Sequence, residues 1–157
     1  MTDPVNYYGY LESPIGWVEI VGTKESILKL KFVEEPCRKQ FTSPCLDLAL
    51  EQVSEYFRGD RCIFNLPLVM GGTDFQRNVW EHVMRIPYGH TTTYQKIADS
   101  MGRPRTTRAV GAANGKNPLT ILVPCHRVIG SNGNLTGYGG GMWRKKWLLK
   151  HEGFLET

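Results

Sequence analysis

Apolar and polar positions change period several times along the 157-residue chain, and each change predicts an element. Gly16–Val21 and Ile27–Val33 are apolar, β-rich runs separated by the turn-like Gly22-Thr23-Lys24-Glu25. Leu28, Leu30 and Phe32 alternate with Lys29 and Lys31, the period-two pattern of a half-buried strand. Ser43-Pro44 then opens a helix, with Ser43 as N-cap and Pro44 in the first turn. Leu46, Leu50, Val53 and Phe57 follow at helical spacing until Gly59. Cys62–Leu68 reads as a further strand, with Cys62 in its core face. Nothing in this half has the residue types of a catalytic site.

Gly71-Gly72 marks a domain boundary, which divides the chain into residues 1–70 and 71–157. Thr73-Asp74-Phe75-Gln76 is a capping-box pattern. Phe75, Val79, Val83 and Ile86 line the helix that follows, with Trp80 beside them, and Pro87-Tyr88-Gly89 ends it. Thr92 or Thr93 caps a short helix, Tyr94–Met101. After the turn Gly102-Arg103-Pro104, another helix runs from about Arg105 to Asn114, with Gly115 as its stop. Two short helices joined by a glycine-containing turn outline a helix-turn-helix. Arg105, Thr106, Thr107 and Arg108 stand near the N-terminus of the second helix, where a DNA-reading helix carries its contacts. Ala109, Val110, Ala112 and Ala113 form a small-residue face that suits either close helix packing or close approach of a nucleic-acid backbone. A last helix presents Trp143, Trp147, Leu148 and Leu149 to the core and Arg144, Lys145, Lys146 and Lys150 elsewhere.

Composition narrows the class. With 41% hydrophobic and 22% charged residues the chain is globular. At this length it buries about two-thirds of its unfolded surface without disulfides or metal. No apolar run approaches the roughly 20 residues of a membrane span, and the start of the chain lacks a signal's basic and apolar regions. Four irregularly spaced cysteines do not form a disulfide framework, so the expected compartment is the cytoplasm. The net charge of +4 conceals a division. Residues 1–70 hold seven Lys and Arg against ten Asp and Glu, and residues 71–157 hold twelve against five, which gives −3 and +7. Such a split fits a polyanion-binding half or ordinary solubility.

The chemistry concentrates at Thr120–Ile129. Thr120–Val123 reads as a buried strand that stops at Pro124, and Cys125-His126-Arg127 follow in a turn. A thiol beside an imidazole and a guanidinium fits an activated nucleophile, because nearby positive charge or a base favours the reactive thiolate. An inert buried cysteine is the competing reading. Metal binding is disfavoured: adjacent Cys125 and His126 lack a chelating gap, and Cys37 and Cys45 are also off the zinc spacings. No metal and no cofactor are assigned. Gly137-Tyr138-Gly139-Gly140-Gly141 is a glycine-dense loop that exposes backbone N–H groups and lets a flat ligand approach. Glu152 falls near a helix C-terminus, where its charge opposes the helix dipole, and this mild cost points to a specific use of the carboxylate.

Pro124-Cys125-His126-Arg127-Val128 resembles the signature of the O6-alkylguanine-DNA alkyltransferases, the methylated-DNA–protein-cysteine methyltransferase family. Gly72–Trp80, Ile86-Pro87-Tyr88-Gly89, Thr93-Tyr94, Arg108-Ala109-Val110-Gly111, Asn117-Pro118 and Trp147–Gly153 resemble it too, in family order. The resemblance implies an α+β protein: a ribonuclease-H-like α/β half, matched here only in length and element order, then a winged-helix-like domain containing the helix-turn-helix. It implies irreversible, single-turnover transfer of an alkyl group from O6-alkylguanine, or O4-alkylthymine, to Cys125. Double-stranded DNA would be bound through the minor groove by a monomer, without a cofactor or a membrane. His126 would draw the thiol proton through a water, oriented by Glu152. Tyr94 would donate to the departing guanine, and Asn117 would hold the cysteine turn. The carbonyls of Cys125 and Val128 would accept from the guanine amino group, and Tyr138 and Gly139 would line the pocket. Arg108 would replace the flipped base in the stack, with Thr106, Thr107, Ala109, Ala113 and Tyr94 against DNA.

Three features depart from the pattern. Gly139 stands where some members have serine, Asn114 of the pocket stands where some have methionine, and the amino-terminal zinc ligands of some members have no clear match. Two other classes compete with alkyl transfer. An alkyltransferase-like damage-binding module would lack the acceptor cysteine, which is present here. A cysteine hydrolase would need an oxyanion hole and would leave Arg108 unexplained.

Overall fold

A computed structural model of the chain describes residues 6–135 and 137–154; the first five residues of the amino-terminal stretch read above lie outside the described residues. The chain divides into two compact units, Met1–Gly71 and Gly72–Thr157, and the architecture is α+β.

The first unit is a three-stranded antiparallel meander carrying one helix. Strands β1 (Tyr7–Ser13) and β2 (Gly16–Gly22) pair from Ser13–Gly16 to Tyr7–Gly22, and β3 (Ile27–Val33) pairs with β2 from Trp17–Val33 to Gly22–Ile27. In β1 three tyrosines blur the alternation, so hydrophobic periodicity alone does not reveal the strand. The alternation predicted for β3 holds: Leu30 is buried, Leu28 and Phe32 are half-buried, and Lys29 and Lys31 are exposed. Helix α1 (Pro44–Phe57) starts where its sequence says, with the Ser43 hydroxyl accepting from the Leu46 amide at 3.2 Å. It buries Leu46, Ala49, Val53 and Tyr56. It also seats Leu50 on Gly9 of β1, where an added Cβ would lie 2.7 Å from a Leu50 methyl.

The segment Cys62–Leu68 is not a strand. Its one ladder contact is an isolated bridge between Leu68 and Ile27. Pro67 has no N–H to give a ladder, and Asn65 is held by a side chain: its backbone exchanges bonds with the Gln52 amide at 2.9 and 3.2 Å. Cys62 is exposed rather than in the core, and Ile63 is 77% exposed.

The second unit packs helices around the chemistry-bearing loop. Helix α2 (Asp74–Met84) has both halves of the predicted capping box, Thr73 and Gln76. Helices α3 (Tyr94–Ser100, capped by Thr93) and α4 (Thr107–Gly115) form the helix-turn-helix. Helix α4 begins two residues later than its sequence suggests, and Gly115 is its last residue rather than a stop beyond it. Helix α5 (Met142–His151) follows the glycine-dense loop. Strands β4 (Thr92–Thr93) and β5 (Val128–Ile129) form a short parallel ladder, which ties the start of α3 to the residues after Cys125.

Thr120–Val123 is not a strand, although Ile121, Leu122 and Val123 are buried. It curls into tight turns, with Leu122 N–H to Thr120 at 2.9 Å, Val123 N–H to Leu119 at 2.8 Å, and Ile121 at a φ of 72°. A buried apolar run of four residues has no period that separates strand from coil. Here Pro118 and Pro124 bracket it and limit the N–H groups a ladder needs. Among the described residues, no helix is long and apolar enough to cross a membrane.

Candidate active site

Cys125–Arg127 form a single 3-10 turn between the buried coil and β5. Two asparagines fix this turn. The Asn117 side chain spans the coil, donating to the Val123 carbonyl at 2.8 Å and accepting from the Leu119 amide at 2.9 Å. Asn114, buried on α4, donates to the Cys125 carbonyl at 3.2 Å. The thiol-bearing residue therefore sits on backbone held from both sides, and it is 6% exposed.

Beside it lies a buried chain of charge. Fully buried His126 places Nε2 at 2.7 Å from Glu152 Oε2. Arg127 grips the same carboxylate with two donors, Nε to Oε1 at 2.8 Å and Nη2 to Oε2 at 3.0 Å, and its Nη1 donates to the Ile86 carbonyl at 2.7 Å. Glu152 is the C-cap residue of α5, so the predicted conflict with the helix dipole exists and the Arg127 guanidinium answers it. Burial alone would raise the Glu152 carboxyl; the His126 hydrogen bond and Arg127 outweigh it and hold the group well below the ordinary carboxylate range. Burial also pushes the His126 imidazole down, against the pull of Glu152, and so favours the neutral ring. An ionised carboxylate only accepts, so Nε2 carries the ring proton and Nδ1 carries the lone pair. That Nδ1 is buried and meets no hydrogen-bond partner among the described residues.

The thiol is subject to opposing influences. Burial pushes the Cys125 pKa up, while the Asn117 side chain and the positive charge of Lys145 pull it down. Lys145 is itself fully buried, and its Nζ donates to the Val128 carbonyl at 2.6 Å. Burial lowers its pKa from 10.5 to about 8. This corrects the sequence reading of α5, in which Lys145 pointed away from the core and Trp143 toward it; Trp143 is 57% exposed. Lys145 lies three and four residues before the buried Leu148 and Leu149, a spacing that places it on their face whatever its charge. The pairing of Arg127 with Glu152 has no comparable signal in the sequence.

The remaining predicted residues fall around this turn or on the neighbouring helices. Tyr94 opens α3; its ring lies about 3.8–3.9 Å from where a Cβ on Gly111 of α4 would stand, and its hydroxyl is 4.0 Å from the equivalent point on Gly137. The phenol thus lies against α4 at Gly111 and close to Gly137 of the loop. Tyr138 buries its phenol oxygen without a hydrogen-bond partner among the described residues, and burial together with the Cys125 thiolate raises its pKa well above the ordinary phenol value. Gly139 is exposed beside the Gly115 carbonyl. The Cys125 carbonyl accepts from two donors, the Asn114 side chain and the Val128 N–H, whereas the Val128 carbonyl accepts from Lys145.

On α4 the two uses left open for the small face divide between its residues. Val110 and Ala113 are buried, and the Ala113 carbonyl accepts from Trp80 Nε1 at 2.8 Å. Ala113 is therefore a packing residue and does not face outward as expected. Arg108, Ala109 and Ala112 are exposed on the opposite side. The hydroxyls of Thr106 and Thr107 are engaged internally, by the Arg103 carbonyl and the Gln95 side chain, both at 2.7 Å. Among the described residues no cluster of His, Cys, Asp and Glu is arranged to hold a metal ion.

Comparison with known proteins places this geometry in context. Residues 74–154 match the family described as 6-O-methylguanine DNA methyltransferase, DNA binding domain, and residues 6–70 match its ribonuclease-like domain. A methylated-DNA–protein-cysteine methyltransferase of Mycobacterium bovis is 45% identical over 151 residues, covering 93% of this chain and 92% of the relative. A protein of the same name from Methanosarcina barkeri is 44% identical over 152 residues, covering 93% and 96%. Among solved structures, Mycobacterium tuberculosis OGT in complex with DNA is similar at a TM-score of 0.84 and 46% identity, covering 92% of this chain and 91% of that one.

Proposed function

The chain belongs to the 6-O-methylguanine DNA methyltransferase family, and from that premise we propose that it repairs DNA by direct reversal, moving the alkyl group of O6-alkylguanine in duplex DNA onto Cys125 once per molecule. The observation that carries this reading is the buried thiol beside a neutral imidazole whose Nδ1 is left to accept, behind which Glu152 and Arg127 are already paired.

In the proposed step the Cys125 proton passes through a water to His126 Nδ1. Glu152 stabilises the imidazolium that forms, in the manner of the third member of a catalytic triad. The thiolate attacks the alkyl carbon, a carbon–sulfur bond forms and the carbon–O6 bond breaks. The released electron pair passes into the guanine ring, which takes a proton from the Tyr94 hydroxyl. That donation strengthens as charge develops and so acts mainly in the transition state. The thioether has no leaving group to regenerate the thiol, so the protein acts once.

Recognition follows from the same residues. The Cys125 and Val128 carbonyls accept from the guanine amino group. Asn117 and Asn114 keep those carbonyls and the thiol in register, and Tyr138 and Gly139 wall the pocket. Extruding a base costs a few kcal/mol of unstacking, and Arg108 enters the stack to offset it. The exposed Ala109 and Ala112 let α4 approach a minor groove only about 6 Å wide. The protein acts in this way as a cytoplasmic monomer.

A damage-binding module without chemistry is the weaker reading, since Cys125 is present and seated. A duplex carrying one isotopically labelled O6-methyl group tests the proposal. One label per protein, mapped to Cys125 by mass spectrometry, is the expected result. Several turnovers per protein, or binding with no label transferred, would overturn it.

A further inference from the structure

We propose that the cleft between the end of α2 and the start of α3 binds a small phosphomonoester of up to nucleotide size. The cleft holds about 470 Å3, within the range of small-molecule sites. Four nitrogen-bearing side chains line it, His82, Arg85, His90 and Lys96, together with the threonines at 91 and 92. No carboxylate is among its lining residues. Elsewhere in this unit Arg77 pairs with Asp74 and Arg127 with Glu152. The side chains of Arg85 and Lys96 form no ion pair or hydrogen bond among the described residues. Arg85 and Lys96 thus line a concavity that no carboxylate lines, and an anion would relieve its positive potential.

The imidazoles identify the kind of anion. His82 Nδ1 lies 2.8 Å from the Asn78 carbonyl and His90 Nδ1 3.1 Å from the Tyr88 carbonyl. A carbonyl only accepts, so each Nδ1 carries a proton and Nε2 is the remaining ring nitrogen. A neutral Nε2 accepts the acidic proton of a monoprotonated phosphate; a protonated one donates to its oxygens. A phosphomonoester has that proton and a DNA phosphodiester does not, so the pair of imidazoles favours a terminal phosphate over a duplex backbone. The largely buried Ile86 and Ile97 also line the cleft. The cleft backs onto the turn whose Ile86 carbonyl anchors Arg127, so an occupant touches the same segment that positions the buried carboxylate.

The inference does not depend on alkyl transfer, and its test uses no damaged DNA. In the full-length protein, dGMP should shift the imidazole resonances of His82 and His90 saturably in NMR titrations, and deoxyguanosine should not. The double variant Arg85→Gln/Lys96→Gln should weaken dGMP binding about tenfold or more, as expected for loss of charge-assisted contacts. Arg105→Gln, on the loop before α4, should leave it unchanged. No shift at millimolar dGMP would overturn the proposal, as would shifts indifferent to the double variant. A short undamaged duplex that moves these resonances where dGMP does not would assign the cleft to the DNA interface instead.

Discussion

At the scale of single residues, the site depends on how one buried carboxylate and one buried ammonium are neutralised. Glu152 is held below its ordinary pKa of 4.5, so the folded state binds its proton less readily than the unfolded state. Its contribution to stability is fully present above pH 4.5 and is lost as pH falls toward the depressed folded value. Glu152→Gln leaves Arg127 buried without a counter-charge. It should destabilise the protein by about 3–5 kcal/mol at neutral pH, and urea titrations in acid should show a shallower pH dependence than the parent. An unchanged acid profile would mean that the carboxylate is not ionised in the folded state. Lys145 shifts in the same direction, but for a cation that shift is a cost at neutral pH. Its folded pKa of about 8 lies below the ordinary 10.5, so the folded state loses the proton first and stability rises with pH between those values. The amplitude is on the order of 3 kcal/mol. Lys145→Met should flatten that rise. It should also remove a positive charge that favours the Cys125 thiolate, so alkylation of Cys125 by iodoacetamide should require higher pH in the variant. These two residues differ in legibility. Glu152 was visible from its awkward place at a helix end. Lys145 was not, because a lysine among lysines reads as solvated unless its spacing from Leu148 and Leu149 is given more weight than its charge.

Between residue and molecule, helix α4 has two faces that single substitutions separate. Ala113 packs under Trp80 on the inner side, whereas Ala112 is exposed with Arg108. Ala113→Leu overfills a packed contact and should cost about 1–3 kcal/mol of stability, measurable by thermal unfolding. Ala112→Leu should leave the melting temperature nearly unchanged and weaken binding to duplex DNA. If both substitutions act on stability alone, α4 is a packing helix and not a groove helix. Arg108→Ala should slow repair of duplex DNA far more than reaction with free O6-benzylguanine, because only the duplex has a stack to refill. Equal losses would exclude the replacement role. Elements with a start signal and a long period were legible: Ser43 and Thr73 cap helices where expected. Short apolar runs were not. Cys62–Leu68 and Thr120–Val123 both read as strands. Gln52 holds the first and Asn117 spans the second, so side-chain amides from elsewhere satisfy groups that a neighbouring strand would otherwise pair.

For the molecule as a whole, the sequence speaks through charge. The −3/+7 division falls at the boundary that separates the two compact units. If the positive excess serves to hold phosphates, it should appear in the salt dependence of DNA binding and not in stability. Each phosphate neutralised by a cation releases counterions, and the slope of log K against log salt falls in magnitude by about 0.9 for each contact removed. Arg105 is exposed just before α4, and Lys29 is exposed on β3 of the acidic unit. Arg105→Glu should reduce the slope by roughly one contact or more and weaken binding alike on damaged and undamaged duplex, because phosphate contacts carry no sequence information. Lys29→Glu makes the same change in net charge and should leave the slope where it was. Fluorescence anisotropy on both duplexes over a salt series separates the cases. Equal slope changes in the two variants would mean that net charge acts as a diffuse field over the whole protein. A change confined to Arg105→Glu would tie the basic excess to the helix that carries Arg108.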